Sequence, residues 1–424
     1  MANIVLFGGS NSLLLDGFQK GIKDELLNSN KKLELVNLAL GGCGSTQILF
    51  ELVRDKNKKI INEAEYIIIE SNINDIHNAQ ELILLQDIVK LHVWICEILY
   101  RLNKKVIFLI LPLCAEYKNT ILIENLSRIY ANYYGFNVID MARVYRQNEL
   151  FEVFATNDVL HQLSALMAEI GRVIIRNLDK FLPTKSCVLN HILPEFKTIE
   201  PQEFIGGELK FKHCKNSFYE EKVYMLTKDT KWQFPLKCKG YSLLGVLLWN
   251  KDALEYDYCS YVLCNANKEI VKGYRDGYMI FQELFCPLNL DENSFIYYNS
   301  KNLPLSEPSK WLKRGANIKK LVAKNIKKGV NARDIGCVGI VSFLLASSDF
   351  RIPSFKIPSD ERLENVESKY DFTHLLPNML FLKEVILEYC ARLNLNNKIG
   401  QTAYVNNICK KPRLFAGGGG FYAY

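Results

Sequence analysis

The sequence predicts an α/β protein: a three-layer α/β/α domain built on a parallel sheet over residues 1–182, an antiparallel β-sandwich-like domain after it, and a helical C-terminal tail. Three observations carry this reading. Short apolar runs alternate with stretches of helical spacing as far as Pro183. Those runs are apolar at consecutive positions, the pattern of strands covered on both faces. Past Pro183 the text changes to short Tyr-, Phe- and Val-rich runs broken by Gly, Asn, Asp and Pro, the pattern of antiparallel β structure.

The elements follow in order. Residues 4–7 form a first strand that enters a glycine turn. Leu14, Phe18, Ile22 and Leu26 share one helical face and predict a helix over residues 13–27. A second strand covers residues 33–40, and a helix begins at Thr46. Three consecutive isoleucines mark a third strand over residues 66–70, followed by one long helix over residues 79–102. The fourth strand, residues 106–111, is stopped by Pro112; a helix over 121–134 and a fifth strand over 136–139 follow. The last helix, residues 163–182, ends at Pro183. Right-handed crossovers and ligands outside the carboxyl ends of the strands are expected of such a sheet. In the second region, residues 183–360, strands are predicted over 207–213, 222–227, 241–249, 259–264 and 294–299. The third region, residues 361–424, holds a helix over 377–393 and a glycine run at 417–420.

Composition narrows the class. With 424 residues, 49% hydrophobic and 23% charged, the chain folds around a large core and divides into domains. A net charge of +7, from 53 basic and 46 acidic side chains, calls for no nucleic-acid partner. The amino terminus lacks the basic flank and long apolar stretch of a targeting signal, and the longest apolar runs, 243–249 and 338–346, are too short to span a bilayer. A cytoplasmic location is expected. Twelve cysteines are scattered without a CxxC pair, which reads as reduced thiols rather than a disulfide framework or zinc site.

Four short segments carry candidate chemistry, each just past a strand or ahead of the last helix. Gly8-Gly9-Ser10-Asn11-Ser12 presents a serine at a sharp turn. That serine either caps a helix or offers its hydroxyl beside backbone N–H groups suited to an oxyanion. Gly41-Gly42-Cys43-Gly44, after the second strand, lets the backbone approach a ligand. Glu70-Ser71-Asn72-Ile73-Asn74-Asp75, after the third, offers an asparagine amide, with Asp75 placed to cap the following helix. Asp158 stands three residues before His161, a spacing at which a carboxylate can orient an imidazole and stabilise its protonated form. Alone, each is equally ordinary turn chemistry.

Serine after strand one, glycine after strand two, asparagine after strand three and Asp-x-x-His before the last helix, in that order, resemble the SGNH (GDSL-type) hydrolase family over residues 1 to about 182. The resemblance implies a flavodoxin-like parallel sheet and a serine esterase needing no metal or cofactor. It assigns Ser10 as nucleophile, His161 as its base and Asp158 as the group that fixes the ring. The oxyanion hole it implies comprises the backbone N–H groups of Ser10 and Gly42 and the side chain of Asn74. Two positions depart from the family pattern: Gly9 stands where Asp is usual, and Asn72 where Gly is usual. Asp371-Phe372-Thr373-His374 repeats the Asp-x-x-His spacing, so His374 is a rival base if residues 183–370 are an insertion. His77 lies near the third segment, His92 reads as structural, and His191 and His213 have no partner pattern.

The function expected is esterase or acyltransferase chemistry on an O-acyl, most simply O-acetyl, carbohydrate, with bacterial surface-polysaccharide metabolism as a setting. The partner is an acylated carbohydrate or small ester. Trp232, Tyr241, Trp249, Tyr258 and Tyr261 of the second domain are rings that either meet sugar faces or fill the sandwich. Lys310, Lys313, Arg314, Lys319, Lys320, Lys324, Lys327, Lys328 and Arg333 fall in a stretch without acidic residues, and Ile318, Leu321, Val322 and Ile326 share a helical face within it. That is either a solvated helix or a contact for an anionic glycan or membrane surface. The competing readings are a lipid or thioester hydrolase and a catalytically inactive glycan-binding scaffold.

Overall fold

The structure is a computed structural model that describes residues 2–115, 117–154, 158–187, 189, 192–348 and 366–392. Asn157, His191 and the glycine run at 417–420 lie outside the described residues. Five strands, β1 (Ala2–Gly8), β2 (Leu33–Asn37), β3 (Ala64–Glu70), β4 (Lys105–Ile110) and β5 (Asn137–Asp140), form one sheet in the order β2-β1-β3-β4-β5. Every pairing is parallel, and the order is that of a flavodoxin-like doubly wound sheet. Among the described residues nine helices accompany it: α1 (Phe18–Asn28), α2 (Ser45–Val53), α3 (Asp55–Glu63), α4 (Asn72–Glu81), α5 (Leu85–Leu102), α6 (Thr120–Tyr134), α7 (Met141–Gln147), α8 (Phe151–Phe154) and α9 (Ser164–Arg176).

Two helices differ from expectation. The single helix predicted over 79–102 is two, α4 and α5, because Ile83 turns into the core and Leu84 takes extended backbone between them. The helix predicted from residue 13 starts at Phe18, since Ser10–Ser12 form a tight 3-10 turn instead. The α1 and α9 helices then touch backbone to backbone. A Cβ on Gly21 would fall 1.8 Å from the Ala168 carbonyl oxygen, and one on Gly171 would fall 2.6 Å from that of Phe18. Because α1 follows Ser10 and α9 follows His161, this close contact fixes the two segments relative to one another.

The second domain is a sandwich. Its strands are β6 (Phe196–Ile199), β7 (Phe211–Lys215), β8 (Glu220–Thr227), β9 (Lys231–Gln233), β10 (Tyr241–Leu248), β11 (Asp257–Cys264), β12 (Glu269–Arg275), β13 (Ile280–Asn289), β14 (Phe295–Tyr298), β15 (Arg333–Asp334) and β16 (Cys337–Ser347), with α10 (Ile318–Ile326) near its end. One sheet runs β13-β10-β16-β8-β7, with β6 beside β8 along the same edge of β16; the other runs β12-β11-β14-β9, with β15 on β11. Trp232, Trp249, Tyr258 and Tyr261 are buried and Tyr241 is partly exposed. Burial of apolar ring area outweighs any role at the surface, so these rings build the core rather than a sugar-facing surface.

The two domains share one apolar core. Phe50 of α2 packs on Phe281 of β13 at 5.1 Å between centroids. Arg54 makes a bidentate pair with Glu221 of β8, both contacts 2.7 Å and both side chains buried. Residues 366–392 return to the first domain. The Val138 N–H donates to the Tyr370 carbonyl at 2.9 Å, and Phe372 N–H donates to the Val138 carbonyl at 2.8 Å, so this segment covers the outer edge of β5 before α11 (Met379–Arg392) begins. Among the described residues no helix is long and apolar enough to cross a membrane, and no disulfide forms, although Cys286 is exposed.

Candidate active site

The turn at Ser10, the loop after β2, the start of α4 and the loop before α9 meet above the carboxyl ends of β1, β2 and β3. Ser10 Oγ lies 2.6 Å from His161 Nε2. Asp158 Oδ2 lies 2.5 Å from His161 Nδ1, and its other oxygen accepts the backbone N–H groups of Leu160 at 3.0 Å and His161 at 3.3 Å. Nδ1–H donates to the carboxylate, which leaves Nε2 to accept the serine proton. Burial pushes the Asp158 carboxyl up, but the hydrogen bond and charge of His161 outweigh it and hold the group below the ordinary carboxylate range. Such a chain of groups can deprotonate a hydroxyl as it attacks a carbonyl carbon and return the proton to a leaving alcohol.

Asn11 locks this arrangement. Its Nδ2 donates to the Leu160 carbonyl at 3.0 Å and its Oδ1 accepts the Gln162 N–H at 3.0 Å, so one amide clamps both sides of His161 to the residue after Ser10. Gln162 also donates to the Pro112 carbonyl at 2.7 Å, and Cys114 N–H donates to the Val159 carbonyl at 3.1 Å, which ties the histidine loop to the end of β4.

The sequence departures have local causes. Asn74 Nδ2 occupies the space a side chain at position 9 would need: a Cβ on Gly9 would fall 1.7 Å from it. An amide donor therefore stands against the residue before Ser10, and a side chain at position 9 would require Asn74 to shift. Asn72 donates to the Leu111 carbonyl at 2.7 Å and accepts the Leu111 N–H at 3.0 Å, pairing the end of β4 as a strand would. Asp75 does not cap its own helix. Its two oxygens accept Ser45 N–H at 2.8 Å and Ser45 Oγ–H at 2.6 Å, so it caps α2 and joins the second and third segments. Gly42 takes φ +67°, a left-handed value that suits glycine.

Glu70 is fully buried beneath the turn at Ser10. Its Oε2 accepts Gly9 N–H at 3.2 Å and Ser12 Oγ–H at 3.1 Å, while Oε1 has no hydrogen-bond partner among the described residues. Burial pushes this carboxyl up to about 7, against the pull of those two donors. Only the charged residue that ends the isoleucine run hinted at it in the sequence.

His374 is far from this cluster in role. It is exposed, and Asp371 bonds Arg143 and the Thr373 N–H, not His374. His92 is buried, with Nδ1 on the Ile88 carbonyl at 3.0 Å. The basic stretch splits. In α10, Ile318, Leu321 and Val322 pack on the sandwich while Ile326 is exposed. Lys310, expected to face solvent or an anion, instead turns inward to the loop after β2.

No protein-family model and no curated protein matches the chain. Solved structures match part of it. A lipase/acylhydrolase from Enterococcus faecalis is 17% identical, with a TM-score of 0.35, over 44% of this chain and all of that one. An acetylxylan esterase from Geobacillus stearothermophilus is 11% identical, with a TM-score of 0.35, over 42% of this chain and 94% of that one. A lipase from a goat rumen metagenome is 16% identical, with a TM-score of 0.32, over 42% of this chain and 97% of that one. Each is therefore matched over nearly its whole length by well under half of this chain.

Proposed function

We propose that this chain is a serine-dependent ester hydrolase or acyltransferase of the SGNH type, with Ser10 as nucleophile, His161 as general base and Asp158 as its orienting carboxylate. The observation that carries the reading is the continuous run from Ser10 Oγ through both ring nitrogens of His161 to Asp158, with contacts of 2.6 and 2.5 Å. In the first half-reaction Ser10 Oγ bonds to the acyl carbon as its proton passes to His161 Nε2. The alcohol–carbon bond then breaks and the alcohol leaves with that proton. In the second, water or a sugar hydroxyl attacks the acyl-enzyme, gives its proton to His161, and Ser10 leaves as a hydroxyl. The backbone N–H groups of Ser10 and Gly42 and the Asn74 amide would hold the tetrahedral oxyanion.

The acyl donor we favour is an O-acetylated carbohydrate. Support comes from the family resemblance of the motifs around Ser10, Gly42, Asn74 and His161. The test is turnover of p-nitrophenyl acetate by the intact chain and by Ser10→Ala. A loss of more than about a thousandfold in the variant is expected; equal, near-background rates in both proteins would favour a binding scaffold. Release of acetate from acetylated oligosaccharides, against transfer from acetyl-CoA to a glycan, then separates hydrolysis from transfer.

A further inference from the structure

We propose that Lys310 of the sandwich domain is a positioning residue for Gly42, holding the loop after β2 so that its N–H faces the reacting carbonyl; this rests on the serine-esterase reading above. Lys310 Nζ donates to the Gly42 carbonyl oxygen at 2.8 Å, across 268 positions of sequence. The contact is a close fit: a Cβ at position 42 would fall 1.3 Å from that nitrogen, so the ammonium group fills the space beside the glycine. A glycine at φ +67° rotates easily about both of its backbone bonds. An oxyanion donor must be fixed before the reaction, because a donor that has to reorient loses most of its effect. Fixing the Gly42 carbonyl holds the 42–43 peptide plane, and together with the Cys43 N–H bond to the Leu40 carbonyl at 3.2 Å it restricts the turn that carries the Gly42 N–H.

The turn that presents Lys310 is itself braced. Ser309 and Leu312 exchange two backbone hydrogen bonds of 2.9 Å, and Trp311 between them takes φ +66°. A bulky residue keeps that conformation only when its surroundings enforce it. Buried Lys272 of β12 donates to the Pro308 carbonyl at 2.7 Å and to the Glu283 carbonyl at 2.8 Å, which pins the turn to β13. Next along the loop, Cys43 Sγ accepts the Phe281 N–H at 3.4 Å, so β13 holds both the turn and the glycine loop. Burial pushes the Lys310 ammonium down, opposed by the neighbouring Cys43 and Glu283. A lysine placed there against its own desolvation has a positional task rather than a solvating one.

The experiment compares the full chain with Lys310→Met and Lys310→Ala, alongside Ser10→Ala, on p-nitrophenyl acetate. Loss of the clamp is expected to lower kcat by about tenfold to a hundredfold with KM little changed, less than removal of a donor itself. Ethylammonium added to Lys310→Ala is expected to recover part of kcat, which simple damage to the scaffold would not allow. Circular dichroism and thermal melting establish which variants fold; if neither does, Lys310→Gln, a shorter donor, is measured in the same way. An unchanged kcat in a folded variant, a change confined to KM, or a loss that ethylammonium leaves untouched would overturn the proposal. Ser10→Ala separates the two ideas: undiminished turnover there removes the esterase reading, whereas its loss beside normal Lys310 variants removes only the clamp.

Discussion

Two segments of this chain carry Asp-x-x-His ahead of a helix, and the fold gives them opposite surroundings. Asp158 faces its histidine, and that histidine faces Ser10. Asp371 bonds Arg143 and a backbone N–H, and His374 lies open at the edge of β5. The spacing only makes the contact possible. What converts it into an ordered chain is the neighbouring structure: the Asn11 amide on both flanks of His161, the tie from Gln162 to the end of β4, and the tight packing of α1 on α9. The second segment is instead consumed by edge pairing with β5, a structural task that uses its carboxylate.

Substitutions can break this contrast or sharpen it. His161→Ala is expected to lower kcat/KM on p-nitrophenyl acetate by more than about a thousandfold, and Asp158→Asn by about a hundredfold, both read from steady-state kinetics. The smaller figure reflects the 46% exposure of the Asp158 side chain, which lets water share its task. Glu70→Gln tests the floor of the site. The native Glu70 keeps its proton up to about pH 7, while the unfolded chain releases it near the ordinary 4.5. The folded state therefore binds more protons across that window, and stability falls as pH rises through it. Thermal melting between about pH 5 and pH 8 is expected to show wild type losing ground to Glu70→Gln as pH rises; parallel curves would mean the carboxyl titrates normally. The smallest effect belongs to His374→Ala, expected to keep activity within about twofold because an exposed side chain without a partner in the site adds no transition-state contact. A collapse of activity there, with His161→Ala unharmed, would invert the comparison.

Much of this was legible in the chain. Continuous apolar strands such as the isoleucine run of β3 announce a parallel sheet, and the order of serine, glycine, asparagine and histidine segments places them at one end of it. Asn11, beside Ser10, was visible but had no pattern to distinguish it from a turn residue. Residues whose partners lie far away in sequence stayed hidden. Lys310 reads as one cation in a basic stretch because periodicity says nothing about a carbonyl 268 positions away. Asp75 reads as a cap for its own helix because the competing N-terminus, that of α2, lies thirty positions upstream. The aromatic residues of the sandwich were ambiguous for a different reason: the same ring that suits a sugar face also fills a core, and only the pairing of the two sheets decides.

The path of the chain has a further consequence. It leaves the first domain near Pro183, builds the sandwich, and comes back as residues 370–373 to lie along β5. The sandwich is thus anchored at both of its ends rather than hung from one. A fragment cut at residue 182 would keep Ser10 and His161 but lose the strip that shields the last strand. The bare N–H and C=O groups of β5 would then be open to pairing with another copy, so such a fragment should self-associate.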